Sequence, residues 1–394
     1  GPVLRHSYEH LATLFSREVV REMLETSIGI DHLEGWVEAR LANGTRMSVR
    51  AFGARAVHVI SGTGPVVTAM TILRNAVTRG DAIIKLPSND PATAVAIIRT
   101  MIDLDPTHPL TKHVSAAYWR GGDTEIESRI YDPRHIEKIV AWGGAASMTH
   151  ITQYLQPGID LIAFDPKWSA TIIGAAAFAD DHAMEDAAQR LAADVGAYNQ
   201  IGCANARVVF IETGCEGSGL DVANRFGALV QEKLQGLPNS LSTSPKQFDR
   251  ALKAEIDGLA MDRASYRTFG SPDDGMVIVS QFDEAVDFTS LLADRVANLV
   301  PVASIEDALE QITHYTQTVG VYPDDLKHRL RDVAPLYGAQ RLVSLGYACA
   351  PPLAGPWDAM EPLRRMCRWV MDQTSEPDVT PPQWQAGVHG GYGA

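Results

Sequence analysis

The sequence predicts an α/β fold, with a parallel sheet in its first part and a second α/β domain after it. Two observations lead there. Five short apolar runs recur between about residues 56 and 165, with stretches of helical period between them. Strands that alternate with helices imply βαβ units and hence a parallel sheet. The chain also has 394 residues, 45% of them hydrophobic, which is ample for two or three domains.

Residues 1–50 read as a helical lead-in followed by polar, Gly-containing sequence. Gly1-Pro2 lacks a start Met and resembles a protease scar, so the true N-terminus is expected to be missing. Ala56 to Ile60 is the first β-rich run and meets the turn Ser61-Gly62-Thr63-Gly64-Pro65. Val66, Ala69, Met70, Leu73 and Val77 then lie on one helical face, and Arg79-Gly80-Asp81 stops that helix. Ala82–Leu86 is the second run, and Pro91 is placed to open the next helix. Val114–Tyr118, Ile139–Trp142 and Ile159–Phe164 complete the series. A parallel sheet binds ligands beyond the carboxyl ends of its strands. Those ends are the turn at 61–65, the turn Pro87–Asp90, and Gly143-Gly144.

Further along, Met184, Ala187, Ala188, Leu191, Ala192 and Val195 form an amphipathic helix, with Cys203 on a short loop after it. Arg207–Ile211, Met276–Ser280 and Leu299–Val302 read as strands, with helices at about 219–235 and 246–258. The tail from Ser375 is rich in Pro, Gly and polar residues and is expected to be poorly ordered.

Composition narrows the function. Net charge is −14 and Lys and Arg do not cluster, which argues against a nucleic-acid surface, where phosphates must be neutralised. A phosphorylated cofactor, needing only a local donor set, stays open. No apolar run approaches the roughly 20 residues that span a bilayer, and no charged-then-apolar leader is present. The four cysteines, Cys203, Cys215, Cys349 and Cys367, lack C-x-x-C spacing and neighbouring His residues. Neither a zinc site nor a disulfide framework is expected, and a cytoplasmic, reducing compartment fits.

Cys203 is the main chemical candidate. It sits in YNQIGCANARVVF, where Gly202 and Ala204 leave room for approach to a sulfur. A thiolate adds readily to a thioester or aldehyde carbonyl and leaves again. The competing reading is a small buried hydrophobe. Lys85 ends an apolar strand, where a cation can hold a ribose or phosphate, with Ser88 and Asp90 in the following turn. Its competitor is an ordinary surface Lys. Gly143-Gly144 would let a pyrophosphate approach backbone N–H groups, or is simply a tight turn. The 61–65 turn lacks G-x-G-x-x-G spacing.

In order, HVISGTGPV, DAIIKLPSNDP, KIVAWGGAAS, FDPKWSATIIG and YNQIGCANARVVFIE resemble the LuxC-type acyl-CoA reductases of the aldehyde dehydrogenase superfamily. GAQRLVSLGYACAPPL and WDAMEPLRRMCRWV are similar to the family's ending, so the resemblance runs from about His58 to about Asp372. It implies an aldehyde dehydrogenase-like fold, with an NAD(P)-binding domain at 1–167, a catalytic domain at 168–345 and a C-terminal segment at 346–394. It implies Cys203 as nucleophile and Lys85, Ser88, Asp90, Gly143 and Gly144 around the cofactor. Asp294 would stand near the nicotinamide ribose. Thr63 stands where relatives carry an oxyanion-binding Asn, and its shorter side chain would have to serve instead. Ala163-Phe164 offers no carboxylate where aldehyde oxidisers place a water-activating Glu.

The expected activity is therefore NAD(P)H-dependent reduction of an acyl thioester to an aldehyde, NADPH being favoured by Lys85 with Ser88 and opposed by Asp90. The acyl donor would be acyl-CoA or an acyl carrier protein, and the enzyme a homodimer without a metal. An aldehyde-oxidising dehydrogenase and a non-catalytic scaffold relative are the alternatives.

Overall fold

The computed structural model describes residues 1–375, 382 and 384. Apart from Ser375, Pro382 and Trp384, the tail expected to be poorly ordered lies outside the described residues. The chain divides into two compact units. An N-terminal unit comprises Thr13–Phe164, Leu353–Pro356 and the described residues from Glu361 onward. A central unit comprises Gly1–Ala12, Asp165–Pro352 and Trp357–Met360.

The N-terminal unit contains two sheets. β1 (Val37–Arg40), β2 (Arg46–Gly53) and β15 (Cys367–Thr374) form one, in the order β1-β2-β15, antiparallel throughout. The expected series forms the other: β3 (Arg55–Val59), β4 (Asp81–Lys85), β5 (Val114–Ala117), β6 (Lys138–Trp142) and β7 (Asp160–Phe164). All four of its pairings are parallel, in the order β5-β4-β3-β6-β7. Helix Pro65–Thr78 starts with Pro at its first position, where the missing N–H costs nothing, and ends at Arg79 in the left-handed conformation. Ile60, Ile72, Ala82, Ile84 and Ile98 make one core of this unit. Val57, Ile139, Ala141, Met148 and Ile151 make another.

Some expectations need correction. Pro91 precedes the next helix, Thr93–Leu104, instead of opening it. Cys367 begins β15, because helix Pro362–Met366 stops just before it. Residues 37–53 are largely strand, not only polar connection. β2 is mostly half-buried and carries Arg46, Ser48 and Arg50, so its pattern lacks a clean apolar face.

The central unit is one seven-stranded sheet, ordered β10-β11-β12-β9-β8-β13-β14. Its strands are β8 (Trp168–Ile173), β9 (Ala206–Glu212), β10 (Tyr266–Ser271), β11 (Gly275–Ser280), β12 (Val296–Val302), β13 (Thr316–Tyr322) and β14 (Arg341–Ser344). Only β10 runs antiparallel to its neighbour. Helices Asp181–Gly196 and Ser218–Gln235 cover one face through Leu191, Val195, Phe226 and Val230, all fully buried. Each such side chain stabilises the fold by about 1.5–3 kcal/mol. Ile305, Leu309, Leu326 and Leu330 cover the other face. Asp180 and Asp249 cap their helices by accepting backbone N–H groups, which sets the second helix's start at Arg250 and not near 246.

Candidate active site

In the N-terminal sheet the chain leaves β3 for β4 and β5 on one side, then crosses to β6 and β7 on the other. The order therefore reverses between β3 and β6, and a crevice opens where loops leave adjacent strand ends in opposite directions. The loop after β3 carries Thr63, and the loop after β6 carries Gly143 and Gly144. Helices Pro65–Thr78 and Ala145–Thr152 begin at Gly64 and Gly144 without a side-chain cap. A Cβ at either glycine would meet nothing within 4 Å. Two helix ends thus offer free N–H groups beside open space, which suits an anionic ligand.

Lys85 ends β4, paired with Val59 of β3 and Ala117 of β5. Its ammonium lies 5.4 Å from the centre of the Trp119 ring. Burial pulls the Lys85 pKa down, and the Glu127 carboxylate nearby partly restores it. Glu127 is 1% exposed. It accepts from Trp119 Nε1 at 3.2 Å, Gly122 N at 3.2 Å, His150 Nε2 at 2.7 Å and Tyr154 Oη at 3.0 Å. Burial pushes its carboxyl up, but bonds from His150 and Tyr154 outweigh that and hold it below its usual range. Ser88 is exposed. Asp90 Oδ1 accepts from Thr93 N at 3.1 Å and Thr93 Oγ1 at 2.9 Å, so its charge faces a helix start. Asn89 Nδ2 donates to Gly62 O at 2.8 Å and ties the two loops together. Thr63 is exposed, its hydroxyl 3.0 Å from Ser61 Oγ. β7 ends on Ala163-Phe164, and the Phe164 ring stacks on Trp142.

Cys203 lies in the central unit, on the loop that enters β9 at its amino end. Tyr198, Asn199 and Gln200 just before it have φ of 51°, 58° and 59°. Three left-handed non-glycine residues in a row persist only where surroundings hold them. Buried side chains do so here. Gln200 Nε2 donates to Ala206 O at 2.9 Å and Val296 O at 2.7 Å, while its Oε1 accepts from Val296 N at 2.8 Å. Asn205 Oδ1 accepts from Gly202 N at 3.0 Å, and its Nδ2 donates to Asp194 O at 3.0 Å and Ala197 O at 2.9 Å. Ser169 of β8 donates to the Cys203 carbonyl at 2.7 Å. Asp294 stands in the turn before β12, with φ of 55°, beside Asp249. Burial pushes its carboxyl up; a hydrogen bond with the Asp249 backbone pulls it down, and the Asp249 charge adds to the rise.

The Cys203 side chain is half-buried. Gln317 Nε2, on β13, lies 3.1 Å from its sulfur and also donates to Asp358 Oδ1 at 2.6 Å. Burial pushes the Cys203 thiol up, as does the Asp358 charge, while Gln317 and the Arg207 guanidinium pull it down. Of the other thiols, Cys367 is buried and raised to about 11, Cys349 is raised further by burial, and Cys215 lies 3.4 Å from Pro301 O.

A half-buried thiol on a clamped loop, facing an amide donor, can act as a held nucleophile. The sequence signature decides the family: the acyl-CoA reductase (LuxC) profile matches residues 2–369. The chain belongs to that family. Membership makes it an oxidoreductase. The chain is 28% identical to the long-chain acyl-protein thioester reductase of Vibrio harveyi over 91% of its own length and 71% of the relative's. It is 30% identical to that of Photorhabdus luminescens, over 82% and 64%. The fold is that of aldehyde dehydrogenases. An NADP-dependent glyceraldehyde-3-phosphate dehydrogenase from Bacillus halodurans aligns with a TM-score of 0.67 at 13% identity, over 91% of this chain and 77% of that one. An aldehyde dehydrogenase from Mycobacterium tuberculosis aligns with a TM-score of 0.65 at 13% identity, over 92% and 77%.

Gln317, Asp358, Ser169 and Asn205 escape the sequence reading. Asn205 leaves a local trace, a polar residue between Ala204 and Ala206 in a segment otherwise reading as core. Gln317 leaves none, being 114 residues from Cys203 along the chain.

Proposed function

We propose that this LuxC-family chain reduces an acyl thioester to an aldehyde through a covalent thioester on Cys203. The observation that carries the reading is the Cys203 thiol with the Gln317 amide 3.1 Å away, on a loop fixed by Asn205, Gln200 and Ser169. A fixed sulfur with a donor beside it is a nucleophile held in place. The Cys203 sulfur attacks the acyl carbonyl, a carbon–sulfur bond forms, and the donor's thiol leaves with the proton Cys203 gives up. The Cys203 backbone N–H and the Thr63 hydroxyl are the proposed supports for the oxyanion. A bound reduced nicotinamide supplies the hydride that the acyl carbon then receives. The thiohemiacetal on Cys203 takes up a proton, its carbon–sulfur bond breaks, and aldehyde departs.

The residues present fit such a cofactor. The free helix ends at Gly64 and Gly144 suit a pyrophosphate, and Lys85, Ser88 and Asp90 border the same sheet edge. Asp294 is the proposed partner of the nicotinamide ribose. NADPH is the preferred form in this proposal. Lys85 brings a cation to the edge, and Asp90, which would repel a 2′-phosphate, is already bonded to Thr93. The donor is acyl-CoA or an acyl carrier protein, and the enzyme a cytoplasmic homodimer. Among the described residues no helix is long and apolar enough to cross a membrane. Phe164 at the end of β7 supports acyl transfer over aldehyde oxidation, since it can activate no water.

The test is intact-protein mass spectrometry after incubation with acyl-CoA or acyl carrier protein, without reduced cofactor. We expect a stable acyl adduct that maps to Cys203 and is discharged as aldehyde by NADPH. Cys203→Ser should lose adduct and turnover together, and Lys85→Ala should keep the adduct but bind cofactor more weakly. An adduct on Cys215, Cys349 or Cys367 with Cys203→Ser still active overturns the mechanism.

A further inference from the structure

We propose that Gln317 is a catalytic hydrogen-bond donor to Cys203 and to the acyl oxygen bound on it, and that Asp358 is the residue that positions Gln317. The inference rests on Cys203 being the acylated residue.

Gln317 is buried, 5% exposed, at the amino end of β13. Its Nε2 stands 2.6 Å from Asp358 Oδ1 and 3.1 Å from Cys203 Sγ. An ionised carboxylate only accepts hydrogen bonds, so the amide must turn its nitrogen, not its oxygen, towards Asp358. That nitrogen has two hydrogens. One goes to Asp358, which leaves the second for the sulfur. With the amide so fixed, Gln317 faces Cys203 as a donor, and a donor favours thiolate over thiol. When the thiolate has added to a carbonyl, the new oxyanion is two bonds from the sulfur, within the sweep of the same N–H.

A strained turn carries Asp358 to this position. Trp357 and Met360 bond to each other at both N–H groups, 2.8 and 3.0 Å, around a two-residue turn. Its central residues, Asp358 and Ala359, have φ of 51° and 57°. Such a turn normally takes Asn, Asp or Gly, so Asp358 suits its place and Ala359 carries the strain, which persists where the surroundings require it. Electrostatics does not account for the placement, because a carboxylate near Cys203 opposes thiolate formation. Arg207 acts on Cys203 with the opposite sign, and Arg341 and Cys349 are the other titrating groups that sense it. Orientation of the amide is the role that the 2.6 Å bond supports.

Two readouts separate this from a structural role: the pH profile of Cys203 alkylation by iodoacetamide, located by peptide mapping, and kcat against KM for aldehyde formation from a long-chain acyl-CoA with NADPH. Gln317→Leu should move the alkylation midpoint to higher pH and lower kcat by about 10²-fold, the usual loss for one oxyanion donor, with KM changed only a few-fold. Asp358→Asn should move the midpoint to lower pH, because a negative charge is gone, and yet lower kcat about tenfold, because the amide is less firmly held. Asp358→Glu should recover part of kcat. The opposed movement of thiol ionisation and turnover in Asp358→Asn is the signature. Unchanged or faster turnover in Asp358→Asn overturns the positioning role. An unshifted alkylation profile in Gln317→Leu overturns the donor role. If Gln317→Leu does not fold, Asp358→Asn decides alone. If the wild type forms no aldehyde, the thioester reading fails, while the alkylation profile still tests the hydrogen bond to sulfur.

Discussion

At the scale of the residue, buried polar groups explain most of what surrounds Cys203. Asp194 is 1% exposed and accepts N–H groups from Gly346 at 2.8 Å and Ala348 at 2.9 Å. Burial pushes its carboxyl up to about 6, although those two bonds and the Arg341 charge pull the other way. The folded protein therefore holds a proton on Asp194 that the unfolded chain gives up nearer pH 4. The sign follows. This contribution to stability is fully present below about pH 4 and is lost as pH rises through about 6, to a total on the order of 3 kcal/mol. Asp194→Asn cannot titrate. The stability difference between wild type and Asp194→Asn, from chemical denaturation, should shift in the variant's favour between pH 4 and 7 and then level off. Parallel curves across that range would show that Asp194 is already ionised when buried. Ser169 had no visible signal in the sequence, since a Ser read alone is as readily a surface residue.

Elements show a sharper division. The strands β3 to β7 were legible because each is a short apolar run between turn residues, and a strand covered on both faces needs little more than that. The three-stranded sheet was not legible. β2 pairs residue by residue with β15, Cys367 opposite Gly53 and Thr374 opposite Arg46, across most of the chain. Both strands are largely half-buried or exposed, and neither has an apolar face of its own. The turn Trp357–Met360 is a further element whose geometry conflicts with one of its residues, Ala359. Ala359 at φ of 57° costs about 1–2 kcal/mol relative to a right-handed conformation. Gly would relieve that but restore freedom to the unfolded chain, an opposing effect of about 0.4–1 kcal/mol. Ala359→Gly should therefore raise stability by about 0.5–1 kcal/mol, seen as a higher denaturant midpoint at unchanged slope. A lower midpoint would mean that the Ala359 methyl packs well enough to offset its strain.

For the whole molecule, the edge strand β15 bears on association. β15 pairs with β2 along one side for eight residues, and among the described residues no strand pairs with its other side. A long unpaired edge invites a partner, and two-fold closure is the commonest way for identical chains to provide one. A homodimer is the expected species, and light scattering across micromolar concentrations should return about twice the chain's 42.7 kDa. A constant monomer mass would mean that the edge is protected by its own charges, Arg368 and Asp372 among them.

The sequence by itself determined the α/β class, the order of the parallel strands' segments, the family, and the position of Cys203 on a loop between a helix and a strand. These follow from periodicity and turn chemistry within a few residues, or from a series of short motifs in fixed order. Tertiary structure alone decided what faces the sulfur. Gln317 is 114 residues from Cys203, and Asp358 is 41 further on. Tertiary structure also decided that Asp90 turns towards Thr93 and that residues 46–53 find their partner strand at 367–374. The physical reason is the same in each case. A local pattern reports how a segment is solvated on its two faces, whereas a hydrogen bond between distant side chains depends on which strands become neighbours, and that is settled only when the sheet assembles.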